Sequence, residues 1–207
     1  MTARIKTISR LRLGFDAVII FTLWIAYTAI YTFAPGGILS AGLDLIPGIA
    51  GVMVLTICAG FKLQECYLKP ARISLKGLIL LLLFLFALIP ILLTSRWVGW
   101  DWKAGLLYAP ASGIAQELFF RSSLLPVTMK VFKNNRLFGV LAQAVLFVVW
   151  HIPVAFMSAP LLGAIGVIVV TFIGGIVWGW QVQRDKTVYW ALGQHIIYLM
   201  LMSAFIW

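Results

Sequence analysis

Acidic side chains are scarce in this chain: there are six among 207 residues, and charged residues of both signs make up only 11%. That excludes an ordinary soluble domain, whose composition includes about a quarter charged residues. Histidine is limited to His151 and His195, and cysteine to Cys58 and Cys66. The chain has no Cys-x-x-Cys pattern, no Gly-rich phosphate loop and no period-length repeat, so neither a cysteine zinc cluster nor a nucleotide-binding loop is indicated.

What the chain has in abundance is apolar. Hydrophobic residues make up 63% and the mean hydropathy is +1.05, which defines an integral membrane protein. Seven apolar stretches, at 16–34, 45–61, 77–94, 106–126, 137–157, 160–180 and 187–207, reach or approach the roughly 20 residues that cross a hydrocarbon core of about 30 Å. The expected fold is all-α, a polytopic membrane helical bundle of about seven transmembrane helices, with residues 1–207 forming a single integral membrane domain. The first stretch follows a basic segment, as a signal peptide would. Its apolar run from Ala17 to Ala34 exceeds the usual signal core of about 7–15 residues, and no small-x-small cleavage site follows, so it is read as a retained helix.

Charge placement supports the segmentation. With a cytoplasmic N-terminus, the inner segments hold Arg4, Lys6, Arg10 and Arg12, then Lys62, Lys69, Arg72 and Lys76, then Lys130, Lys133 and Arg136, and finally Arg184 and Lys186. The outer loops keep only Arg96 and Lys103. The positive-inside rule therefore predicts a multi-pass protein of a cytoplasmic (inner) cell membrane, with its N-terminus inside and its C-terminus outside. The net charge of +10 follows from this topology and from contact with anionic membrane lipids, and implies no nucleic-acid partner.

Other features have plain explanations. Trp97, Trp100 and Trp102 surround Arg96, Asp101 and Lys103, and read as an interfacial belt. Cys58 lies within the second stretch and Cys66 just past its cytoplasmic end, which argues against a disulfide. Cys66 is read as an inert thiol, with acylation as the alternative. Gly175 and Gly179 form a GxxxG pair that reads as a helix-packing seam.

The chemistry is sought in Gln116-Glu117-Leu118-Phe119-Phe120-Arg121, because ionisable groups at membrane depth are expensive and usually functional. Glu117 and Arg121, four apart, share a helix face and can pair, which makes Glu117 a poor proton acceptor and gives it a supporting task. Position 116 points about 100° away, toward a neighbouring helix, and a glutamate there would be the natural general base. On the fifth stretch, Gln143, Phe147 and His151 share a face, and Pro153 is expected to disturb the helix nearby. On the seventh, Gln194 and His195 are followed by Tyr198. Counted at about 1.5 Å per residue, the three polar sites lie at compatible depths, so one intramembrane site is expected.

These residues carry a resemblance. Gln-Glu-x-x-x-Arg on one span, Phe-x-x-x-His on the next and a histidine on the last resemble the ordered motifs of the CPBP family, the CAAX prenyl proteases and bacteriocin-processing enzymes also called the ABI family, which are glutamic-type intramembrane proteases. The resemblance covers residues 105–207. It implies that position 116 is that of the water-activating glutamate, supported by Glu117 and Arg121. His151 and His195 match the histidines that position water and stabilise the oxyanion, and Phe147 matches the aromatic of the second motif. Gln143, Gln194 and Tyr198 join them as candidate cavity residues. Two positions depart from the pattern: Gln116 replaces the base, and Leu199 stands where asparagine is expected, with Gln194 or Tyr198 as substitutes.

The implied activity is cleavage of a protein or peptide substrate near the membrane, in a C-terminal tail, a sorting tail or a leader peptide. No cofactor or metal is required. A zinc site built from His151, His195 and a carboxylate is the mechanistic rival. An amide cannot usefully accept a proton, so the chain as it stands is expected to be inactive. Either Gln116 is an engineered Glu→Gln change, or the protein is a peptide-binding pseudoenzyme, of immunity or scaffold type. A proton-coupled transporter is the lesser alternative, and the internal symmetry it would show is not found.

Overall fold

The computed structural model describes residues 38–71, 74–94 and 96–206, together with Thr22, Trp24 and Ala26. Apolar runs with few breakers become helices, and these residues are mostly helical, as expected. Helix α1 (Ile38–Met53) continues into a π-helical turn at Val54–Cys58, and α2 (Leu75–Thr94) follows. A π-helical turn at Ala104–Tyr108 leads into α3 (Ala109–Glu117), a π-helical segment at Leu118–Leu124 and α4 (Leu125–Val131). The chain ends with α5 (Arg136–Ser158), α6 (Leu161–Asp185) and α7 (Tyr189–Met202).

Local signals set the ends of the longest helices. Asn135 caps α5, its side chain accepting from the Phe138 N–H at 3.3 Å. Pro160 precedes α6, and Lys186, left-handed at φ 56°, closes it by donating its N–H to the Val182 carbonyl at 2.9 Å. The disturbance expected at Pro153 does not appear, because α5 runs through it. A proline ring removes one backbone hydrogen bond, a loss that packed membrane helices tolerate.

Two segments, Arg136–Met157 and Leu161–Asp185, are each long and apolar enough to cross a membrane, while the apolar helices Gly42–Cys58 and Leu75–Ile89 are shorter. Seven such helices are therefore not what the described residues present. The first expected stretch, 16–34, lies outside them except for Thr22, Trp24 and Ala26. The seventh is cut back to Tyr189–Met202, because Phe205–Ile206 (β2) leaves the helix and pairs antiparallel with Arg96–Trp97 (β1). Trp97 packs edge-on against Phe205 and Trp100, and Trp100 stacks on Trp102, so the tryptophan belt is built on this clasp.

The α3–α4 column is the centre of the protein, with every residue from Phe119 to Met129 buried. Helix α1 lies along it through Asp44, Pro47, Gly48 and Gly51, and the π-helical turn that follows adds Leu55. Close approach needs the glycine: a Cβ at Gly48 would stand 2.9 Å from the Ala115 carbonyl oxygen. The GxxxG pair of α6 seats α5, with Gly175 facing Ala144 and Phe147, and Gly179 facing Val140 and Gln143. Helix α2 exposes Leu78, Leu82, Phe86 and Leu93, as a lipid-facing helix does.

Candidate active site

Four elements bring the polar residues together. The last turn of α3 presents Gln116 and Glu117, and the π-helical segment that starts at Leu118 carries Arg121. Such insertions are frequent at functional sites because they re-aim side chains within a helix. Glu117 and Arg121 are fully buried and form an ion pair within the column, Nε to Oε2 at 3.5 Å. The Arg121 guanidinium also lies over the Phe147 ring, 4.3 Å from its centroid.

Glu117 does more than pair within its own helix. His195 of α7 donates from Nδ1 to its Oε1 at 2.8 Å, a link between elements 78 residues apart. The His195 ring stacks on Trp178 of α6 at 4.5 Å. On α5, His151 donates from Nδ1 to the Phe147 carbonyl oxygen at 2.7 Å, since a carbonyl can only accept. In each histidine Nδ1 is engaged within the protein, which leaves Nε2 available to another group.

Gln116, His151 and His195 line one cavity of about 630 Å³, together with Phe147, Gln194, Tyr198 and Leu199. The rest of the wall is mainly apolar, with Leu80, Leu83 and Phe84 from α2 and Val170, Ile173 and Val177 from α6. Gln116 donates to the Ser112 hydroxyl at 2.9 Å, and its Oε1 has no partner. Glu117 stands behind this wall, against His195.

Gln143 is the exception among the expected cavity residues. It is fully buried against Gly179 and is absent from the cavity wall, so its assignment to the cavity is corrected. It lies on the face of α5 that packs into the glycine seam of α6, and close helix packing seals it there. Among the buried polar residues that the sequence reading did not name are Asp44 and Gln181, both just beyond the edge of an expected stretch. Asp44 precedes the 45–61 stretch and is buried on α1 with an unpartnered Oδ1. Gln181 follows the 160–180 stretch and lines the cavity. A search for polar residues one turn beyond each stretch would have found them. Among the described residues, no group of three histidine, cysteine, aspartate or glutamate side chains is placed to hold a metal ion.

Fold and site together define a helical membrane protein with a buried carboxylate–guanidinium–imidazole cluster beside an apolar cavity. Residues 97–201 match the family model described as type II CAAX prenyl endopeptidase Rce1-like, and the chain belongs to that family of membrane-embedded proteases. No curated protein matches the chain, and no solved structure does.

Proposed function

We propose that this protein is an intramembrane endopeptidase of glutamic type, acting on a membrane-proximal bond in a C-terminal tail, a sorting tail or a leader peptide. The observation that carries this reading is the convergence of position 116, His151 and His195 on one cavity, with Glu117 backing His195. A glutamate at 116 takes a proton from water, and the hydroxide attacks the scissile carbonyl carbon. The two histidines divide the remaining work. His195, with Nδ1 held on the Glu117 carboxylate, presents Nε2 toward the oxyanion. His151, with Nδ1 on a neutral carbonyl, offers a bare Nε2 that orients water. Collapse of the tetrahedral intermediate breaks the C–N bond, and the glutamic acid returns its proton to the leaving amine.

Leu199 faces the cavity where the family pattern has asparagine, and Tyr198 and Gln194 are the polar wall groups available in its place. The basic bias of the loops supports a seven-span arrangement in a cytoplasmic membrane, N-terminus inside and C-terminus outside. With Gln116 in the base position the chain does not cut. A peptide-binding pseudoenzyme is the second reading, favoured by Gln116 and Leu199 together.

The test is Gln116→Glu in host membranes, with peptides mapped by mass spectrometry in the presence of EDTA. New cleavage near the membrane, unaffected by the chelator, is the expected result. Absence of cleavage by the folded variant refutes the protease reading, and loss of cleavage on chelation replaces the glutamate mechanism with a zinc one.

A further inference from the structure

We propose that Gln181 of α6 and Gln194 of α7 form a paired amide site that donates hydrogen bonds to backbone carbonyl oxygens of an extended, apolar peptide in the cavity. This deepens the protease reading and rests on it. Gln194 is oriented by its neighbour: the Trp178 indole donates from Nε1 to Oε1 at 3.0 Å. An indole N–H only donates, so the atom facing it must be the amide oxygen, and the Gln194 NH₂ points elsewhere. That nitrogen has no partner, although Gln194 is only 2% exposed and lines the cavity. Gln181 supplies a second unpartnered amide nitrogen. It follows Trp178 by three residues, on the same face of α6, is 4% exposed, lines the cavity and leaves its Nε2 without a partner.

Buried donors without acceptors are costly and rare, and two of them facing one cavity mark where an acceptor binds. The chemistry of the wall says which acceptor. Among the described residues no lysine, arginine, aspartate or glutamate lines the cavity, and its other residues are mostly aliphatic or aromatic. A neutral oxygen attached to an apolar body fits, and a carboxylate or phosphate does not, because no cation is there to replace its hydration. Peptide carbonyls flanked by leucine-like side chains meet both requirements. Trp178 stacks on His195, so the pair lies beside that imidazole and sets the register of the substrate against the reacting bond.

The experiment uses the full chain with Gln116 in place, in lipid nanodiscs. The probe is acetyl-tetraleucine amide, with calorimetric titration against empty discs as baseline. Four versions of the probe each carry one thioamide, a weaker acceptor of similar shape. The unmutated chain is expected to bind the all-oxygen probe saturably and to lose about 3- to 10-fold in Kd at two thioamide positions, the size of one neutral hydrogen bond each. In Gln181→Met one of those two positions becomes insensitive, and the thermal midpoint holds or rises because an unpartnered buried donor has been removed. The inference is overturned by absence of saturable binding, by equal binding of all thioamide probes, or by the same two sensitive positions in Gln181→Met. A fall in thermal midpoint with no change in thioamide sensitivity also overturns it and leaves Gln181 a packing role. Peptide binding needs no hydrolysis, so a failure of Gln116→Glu to cut sinks the protease reading without touching this result.

Discussion

Replacing Arg121 by methionine isolates the buried charge pair at the heart of the protein. Both side chains are essentially sealed from solvent, with Arg121 Nε 3.5 Å from Glu117 Oε2 and His195 Nδ1 2.8 Å from Oε1. At an effective dielectric constant near 20, two unit charges about 4 Å apart attract by about 4 kcal/mol. Removing the guanidinium leaves the carboxylate buried with only an imidazole as partner, a change that costs about 3–5 kcal/mol. For a chain of this size each kcal/mol moves the melting temperature by about 2–4 °C, so Arg121→Met is expected to lower it by roughly 6–20 °C. The double variant Glu117→Gln/Arg121→Met removes both charges and keeps an amide oxygen for the His195 N–H. It is expected to recover at least about 2 kcal/mol of the loss, because no uncompensated charge remains. Thermal unfolding in detergent, followed by far-ultraviolet circular dichroism, measures both. The reasoning fails if Arg121→Met melts within about 1 °C of the parent, or if the double variant melts no higher than Arg121→Met.

Three further outcomes are expected. In the Gln116→Glu form, His195→Ala and His151→Ala should each reduce kcat by about 100-fold or more, the usual cost of removing one preorganised donor or acceptor, with KM less affected; rates within about 3-fold of the parent would remove either histidine from the chemistry. Gly175→Leu drives a side chain into Ala144, whose Cβ and Cα already lie 3.1 and 3.2 Å from the position of a new Cβ, and should destabilise the α5–α6 pair by about 1–3 kcal/mol in the same melting assay. Cys66 is sealed from solvent, and burial with the Glu65 carboxylate beside it pushes the thiol up to about 11. At pH 8 the thiolate is then about one part in a thousand, so N-ethylmaleimide should leave Cys66 unmodified until the protein is denatured, and its rise toward reactivity should come only as pH climbs toward 11. Rapid labelling of the folded protein at pH 8 would show that this loop opens and would restore acylation as a use for Cys66.

Composition and run length pointed to a helical membrane protein, since 63% of the residues are hydrophobic and the apolar runs approach the roughly 20 residues of a spanning helix, about twice the length of a barrel strand. The ordered motifs on three apolar stretches identified Gln116, Glu117, Arg121, His151 and His195 as the polar residues to follow. Helical periodicity also separated position 116 from its neighbour: adjacent residues differ by about 100°, and Gln116 does reach the cavity while Glu117 stands behind it. Tertiary structure decided what periodicity within one helix cannot express. The Glu117–His195 hydrogen bond, the Trp178 indole that orients Gln194, and the burial of Gln143 against Gly179 all depend on how separate helices are set side by side. That Asp44 and Gln181 are buried was decided there too, although their places one residue outside an apolar stretch can be read from the sequence. The clasp of Arg96–Trp97 with Phe205–Ile206 needed coordinates as well: a two-residue strand has no periodicity to read, and its partner lies more than a hundred residues away.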